Sequence, residues 1–111
     1  MNPESIVQKQ LIAYNSRDLD VFSSTFSADI VLYNFNEEQP ILSGIDELKK
    51  VYKEIFDKSP KLNASLTSKM VLGNTVIYNE KVTGRINTVL DVIAIYEVKD
   101  NLIYRLTFIR K

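Results

Sequence analysis

The sequence predicts an α+β domain, in which three helices cover one face of a curved antiparallel sheet of four to five strands. Apolar side chains recur at helical spacing in the first half of the chain. Four long strand-like segments then follow one another through short turns, and strands joined in this way pair antiparallel. We expect residues 1–111 to form a single domain.

The N-terminal segment carries the start signals of two helices. Asn2 followed by Pro3 is typical of an N-cap and a first helical position, and this helix is expected to end near Ser16. Asp18 can cap a second, short helix. Because only Arg17 and Asp18 separate the two helices, we expect a tight helical corner.

A strand and a third helix are predicted next. Residues 29–35 are rich in β-branched and aromatic side chains, which is typical of a strand. Ser43 and Asp46 have the spacing of a capping box at the start of the third helix. This helix carries an apolar stripe that includes Leu48 and Tyr52, and Ser59-Pro60 ends it.

The second half of the chain predicts four strands. Residues 62–72 alternate apolar and polar side chains, which indicates a half-buried strand. Gly73-Asn74 is a hairpin signal, and residues 75–83 form the return strand. Residues 88–98 are apolar on both faces and should be covered on both. Asp100-Asn101 is then a turn, and residues 102–110 form the last strand.

Composition excludes several kinds of site. The chain has no Cys and no His, so any acid–base chemistry depends on Asp, Glu, Tyr or Lys. No pattern of metal ligands and no glycine-rich phosphate loop is present, and no cofactor is expected. Basic and acidic residues both number 14, which argues against nucleic acid as a partner. Without a signal segment or a long apolar stretch, we expect a cytoplasmic protein that does not contact membranes.

Several short segments carry a resemblance to a known family. They are residues 13–20 (AYNSRDLD), 26–29 (FSAD), 43–44 (SG), 82–85 (VTGR) and 95–103 (IYEVKDNLI). Together with the element order, they resemble the nuclear transport factor 2-like superfamily, and most of all its SnoaL-like and ketosteroid-isomerase-like branch. The resemblance implies a cystatin-like roll, in which a cone-shaped sheet wraps around the helices, with a pocket at the open end and often a homodimer. This fold hosts isomerases, hydrolases, cyclases and non-catalytic binders.

The resemblance also implies where a steroid-isomerase site would lie. Those enzymes use an Asp as the base, with a Tyr and a protonated Asp as hydrogen-bond donors. The matching positions here hold Asn34, Gln10 and Ala94. Asn34 cannot accept a proton and Ala94 offers no side-chain hydrogen bond, so the chain departs from the isomerase pattern.

Glu80 is the candidate for acid–base chemistry. Strand alternation puts it on the same face as Tyr78 and Val82, the face that the resemblance assigns to the pocket. A carboxyl buried among apolar residues has a raised pKa and can act as an acid or a base. The alternatives are exposure through strand curvature, or a structural ion pair with a basic residue such as Arg85.

Alternation within three strands predicts the other residues of the pocket. Asn34 would orient a ligand carbonyl or hydroxyl, or else bond to the backbone near its strand end. The tyrosines would bring hydroxyl groups to a ligand, or else belong to the core. The predicted pocket residues are Tyr14, Leu32, Asn34, Tyr78, Leu90, Val92, Ala94 and Tyr96.

Three functions remain open at this point. The first is a domain that binds a small apolar molecule. The second is an isomerase, cyclase or hydrolase that uses Glu80 as acid or base. The third is a structural dimerisation module. The outer face of the sheet is expected to carry Val89, Ile93 and Ile95, and Ile103, Thr107 and Ile109 are expected to continue this apolar surface on the neighbouring strand. Since the helices cover the inner face, we expect a homodimer through this outer face.

Overall fold

Six strands and three helices follow one another in an α+β arrangement, which confirms the predicted fold class. The computed structural model describes residues 2–85 and 89–111, so Thr88, the first residue of the predicted strand 88–98, lies outside the described residues. The elements are α1 (Pro3–Ser16), α2 (Leu19–Ser24), β1 (Phe26–Asn34), β2 (Leu42–Ser43), α3 (Ile45–Lys58), β3 (Asn63–Leu72), β4 (Thr75–Thr83), β5 (Leu90–Lys99) and β6 (Leu102–Arg110). Among these described elements, none of the helices has the length and apolarity needed to cross a membrane.

The curved, unclosed sheet has the strand order β2-β1-β6-β5-β4-β3. The hairpins β3–β4 and β5–β6 and the pair β4–β5 are antiparallel, as predicted. The pair β1–β6 is parallel, and the short β2 was not predicted. A short turn imposes the antiparallel direction on neighbouring strands, whereas most of the chain separates β1 from β6.

The helical corner forms at the predicted capping residues. The backbone N–H of Ser5 donates to Asn2 Oδ1 at 3.0 Å, and α1 begins at Pro3. The backbone N–H of Val21 donates to Asp18 Oδ1 at 3.1 Å at the start of α2. Each cap satisfies one of the N–H groups that a helix leaves without an internal partner.

The predicted capping box at the third helix is wrong. Ser43 lies in β2, where it pairs with Val31 of β1. The N-cap residue is Gly44, which has no side chain, and no capping hydrogen bond from a side chain forms at this end of α3 among the described residues. Asp46 and Glu47 lie in the first turn of α3, where their negative charges interact favourably with the positive end of the helix dipole.

The edge strand β3 is more exposed than its alternation predicts. Ala64 is buried, but Leu66, Met70 and Leu72 are exposed. The strand is anchored at its start, because Asn15 of α1 bonds both backbone groups of Ala64, at 2.7 Å and 3.1 Å. Beyond that point a bulge between Leu66 and Ser68 shifts the pairing with β4. The half-buried pattern therefore holds only near the helices.

Five aromatic rings fix the helices to one another and to β1. Their neighbouring ring centroids lie between 4.7 and 6.4 Å apart, mostly in tilted or edge-to-face pairs. The rings belong to Tyr14, Phe22, Phe26, Tyr52 and Phe56. Two of them, Tyr14 and Tyr52, also reach the cavity described below.

Candidate functional site

A cavity lies between the helices and the inner face of the sheet, and is called the cavity from here on. The volume of this cavity is about 50 Å³. A cavity holds a water once a probe sphere of about 10–15 Å³ fits inside it, so this cavity has room for a few waters or a small organic group. Its apolar wall comprises Leu11, Ala64, Val82, Leu90, Val92, Leu106 and Phe108.

Glu80 of β4 lies inside the cavity wall. Its side chain is buried, and its Oε2 atom has no hydrogen-bond partner among the described residues. Burial raises the pKa of the Glu80 carboxyl from 4.5 to about 7. Neither sequence alternative is seen, since Glu80 is not exposed and no described basic group forms an ion pair with it. Near neutral pH this carboxyl can therefore either donate or accept a proton.

A second polar atom without a partner faces the cavity from α1. Gln10 is 5% exposed, and its Oε1 atom finds no hydrogen-bond donor within the described chain. Sequence reasoning treated Gln10 only as a departure from the isomerase pattern. The available signal was its position one turn before Tyr14, on the side of the helix that also carries the buried Val7.

Three tyrosines also contribute polar groups to the lining. They are Tyr14 from α1, Tyr52 from α3 and Tyr96 from β5. Burial raises the pKa of all three phenols above its ordinary value, so they stay neutral and can donate a hydrogen bond. Sequence analysis placed Tyr52 on the apolar stripe of its helix but did not assign it to the pocket.

The predicted pocket residues separate into two groups. Tyr14, Glu80, Leu90, Val92 and Tyr96 line the cavity. The other four do not, although Leu32 and Ala94 are fully buried in the core. Alternation identifies the face of a strand that points inward. Alternation does not show which part of that inner face borders a cavity and which part is covered by the helices.

Asn34 and Tyr78 have partners elsewhere. The Asn34 amide donates to Glu37 at 3.3 Å, and its oxygen accepts from Arg110 Nη1 at 2.8 Å. The Tyr78 hydroxyl donates to Glu4 Oε2 at 3.5 Å, and the same carboxylate pairs with Lys69. Both side chains therefore stabilise the structure beside the cavity rather than inside it.

Two arginines that sequence analysis did not assign to the pocket also line the cavity. Arg85 follows β4, and Arg110 ends β6. The Arg110 guanidinium lies 4.6 Å from the centre of the Phe108 ring, a cation–π contact. Both positive charges oppose the rise in the pKa of the Tyr14 and Tyr52 phenols, so their influence reaches the lining.

The cavity offers no evident place for a metal ion. Within residues 2–85 and 89–111, no three acidic side chains come together at ligand distance. Glu80 is the one acidic residue among the described lining residues, and its carboxyl is partly protonated near neutral pH. A single carboxyl of this kind is a weak ligand for the hard cations that prefer oxygen.

Comparison with known proteins identifies the family and the fold. The SnoaL-like domain family matches residues 7–106. A search of curated proteins finds no significant match. An uncharacterized cystatin-fold protein from Novosphingobium aromaticivorans is 22% identical, with 99% of each chain covered and a TM-score of 0.91.

Two further solved structures share the fold at lower identity. A protein with a ketosteroid isomerase-like fold from Catenulispora acidiphila, solved with trimethylamine, is 13% identical over 97% of this chain and 85% of that chain, with a TM-score of 0.78. An LEH-like epoxide hydrolase from M. tuberculosis is 15% identical over 98% of this chain and 82% of that chain, with a TM-score of 0.85. At these identities the likeness shows the fold alone.

Proposed function

The chain belongs to the SnoaL-like domain family, and on this premise we propose that its cavity binds a small, largely apolar molecule that carries a hydrogen-bonding group. The observation that supports this is a pair of buried atoms, Gln10 Oε1 and Glu80 Oε2, that have no hydrogen-bond partner among the described residues and lie in an otherwise mostly apolar wall. A buried polar atom left without a partner costs about 1–3 kcal/mol. A ligand that supplies a donor removes part of this cost.

Phenol and toluene, which match in shape but differ in the hydroxyl group, test this proposal. We expect both to bind the purified protein in ligand-observed NMR, with phenol bound about tenfold more tightly because of its hydrogen bond. Val92→Phe should abolish binding of both by filling the cavity. Val71→Phe is the matched control, because Val71 is exposed on the edge strand. Binding that persists in Val92→Phe would place the ligand outside the cavity and contradict the proposal.

Acid–base catalysis by Glu80 is a second candidate function. It is favoured by the raised pKa of this carboxyl, about 7, inside a cavity with three neutral tyrosine hydroxyls. A ketone bound there would lie beside a group able to take up a proton at neutral pH. Hydrogen exchange at the carbon next to the carbonyl of cyclohexanone, measured in D₂O with Glu80→Gln as the comparison, distinguishes this function from binding alone.

We also propose the homodimer that the sequence leads us to expect, through the outer face of the sheet. Its support is a row of apolar side chains that crosses the outer face of the sheet at paired positions. The row comprises Met70, Ile77, Ile95, Thr107 and Tyr33. The neighbouring row pairs Ile93 with Ile109. These side chains are exposed or half-buried, which is typical of an interface rather than of a core.

One residue of the predicted continuation, Ile103, takes another position. Ile103 is fully buried, because a bulge at Glu97/Val98 shifts the phase of β6 and its backbone N–H bonds Thr25. It therefore belongs to the core and not to the outer face. Val89 is exposed and precedes β5.

Changing Ile93 and Ile95 together to Lys is expected to convert the dimer to a 12.8 kDa monomer. Sedimentation equilibrium at micromolar concentration measures this change. Two charges buried in an interface without partners cannot be offset by its apolar gain. Ile12→Lys is the control, because Ile12 is exposed on α1, away from the sheet face. A monomeric wild-type protein would contradict the proposed assembly.

The expected location, partners and cofactor requirement of the protein stay predictions from the sequence. The lack of a nucleic-acid partner is expected from the balance of 14 basic and 14 acidic residues. The cytoplasmic location is likewise an expectation from the sequence. The same holds for the expectation that the protein needs no cofactor.

A further inference from the structure

The charged groups of the cavity are distributed unevenly. Arg85 and Arg110 both contribute to its lining, and both are exposed residues, so they stand where the cavity meets solvent. Glu80 is buried deeper in the wall, and desolvation keeps much of its carboxyl protonated near neutral pH. The edge of the cavity is therefore positive, while its interior is close to neutral.

Neither arginine is neutralised by a carboxylate in the part of the chain that the structure describes. The ion pairs found there join Lys53 to Asp57, Lys58 to Glu54, Lys69 to Glu4 and Arg105 to Glu97. Arg110 bonds the neutral amide of Asn34 at 2.8 Å, which uses one of the five N–H donors of its guanidinium. The remaining donors at the cavity edge are available to a ligand.

Arg105 lies on the same strand as Arg110 but outside the cavity, and its partners provide a comparison. Its Nε lies 3.4 Å from Glu97 Oε2, and its guanidinium covers the ring of Tyr33. Arg110 has the corresponding aromatic contact, with Phe108, but none of the ion pairs of the described residues includes it. The difference between the two arginines is that Arg110 lines the cavity and Arg105 does not.

We propose that the ligand is a small monocarboxylic acid, whose carboxylate is held by Arg85 and Arg110 at the edge of the cavity while its apolar body fills the interior. The inference rests on the proposed function, binding of a small, largely apolar molecule. Guanidinium groups match carboxylates because they present parallel N–H donors to the two oxygens. The partly protonated Glu80 then adds little repulsion, and its carboxyl remains free to bond a polar group on the ligand body.

Benzoate and benzyl alcohol are the probes, because they share one ring and differ in charge. Isothermal titration calorimetry in low salt is expected to show benzoate bound at least about tenfold more tightly than benzyl alcohol. The double variant Arg85→Gln/Arg110→Gln should lower the benzoate affinity by about tenfold or more, and the benzyl alcohol affinity by much less. Arg105→Gln is the matched control and should change neither. Circular dichroism melting curves verify that each variant is folded, and the single variants serve if the double variant is not.

The outcomes separate this inference from the proposed function. Benzyl alcohol that binds as tightly as benzoate would overturn the carboxylate assignment and leave the apolar binding function standing. An unchanged benzoate affinity in the double variant would also overturn it, because the anion would then be held elsewhere. If neither probe binds, while phenol does, only the inference fails. If phenol fails as well, both fail.

Discussion

At pH 8, Glu80→Gln is expected to raise the free energy of unfolding by about 3 kcal/mol, at roughly 1.4 kcal/mol for each unit of pKa. The cause is that burial raises the pKa of Glu80 from 4.5 to about 7. Above that pH the folded protein holds a buried charge that the unfolded chain exposes to water. Glutamine keeps the shape of the side chain and removes the charge.

The same pKa fixes the direction of the pH dependence. The folded state keeps its proton up to about pH 7, whereas the unfolded chain loses it near pH 4.5. The stabilising contribution of the protonated group is complete below pH 4.5 and is lost as the pH rises to about 7. At pH 4.5 the variant and the wild-type protein should therefore have similar free energies of unfolding.

Urea unfolding at pH 4.5 and pH 8 measures both values. Glu38→Gln is the control, because Glu38 is exposed in the loop after β1 and forms none of the ion pairs described above. It should have little effect at either pH. A gain from Glu80→Gln of equal size at both pH values would assign the effect to packing and contradict a buried charge.

Gly84→Ala is expected to lower the free energy of unfolding by about 4 kcal/mol, which sums a left-handed backbone cost of about 1–3 kcal/mol and a similar overpacking cost. Gly84 has φ +81°, and an added Cβ would overlap the backbone carbonyl of Lys61 and lie 2.7 Å from Leu62 N. Because those contacts are backbone atoms, no side-chain rotation can relieve them. The change would also displace Arg85, the next residue at the cavity edge.

Gly73→Ala is the matched control for this prediction. Gly73 also has a positive φ, +58°, but no heavy atom lies within 4 Å of an added Cβ. Its free energy of unfolding should fall only by the conformational cost of the left-handed backbone, about 1–2 kcal/mol. Chemical unfolding compares the two variants, and the yield of soluble protein serves if Gly84→Ala does not fold. Equal losses in both variants would show that the contact with Lys61 and Leu62 does not matter.

The sequence by itself determined the elements that depend on local chemistry. Asn2 and Asp18 cap their helices where predicted, because a cap requires only a side-chain oxygen and a nearby N–H group. The turn at Asp100-Asn101 forms with positive φ at both residues, 53° and 62°, as a type I′ hairpin turn requires. Alternation within β4 also correctly placed Glu80 on the inner face.

Only the tertiary structure decided which inward-facing residues share a cavity. Asn34 and Tyr78 find partners beside it, whereas Gln10, Arg85 and Arg110 come to its wall from three separate parts of the chain. The parallel pairing of β1 with β6 was likewise decided by packing, since no short turn joins those strands. The physical reason is the range of the forces: caps, turns and alternation act over a few residues, while a cavity is the space that distant elements leave unfilled when they pack.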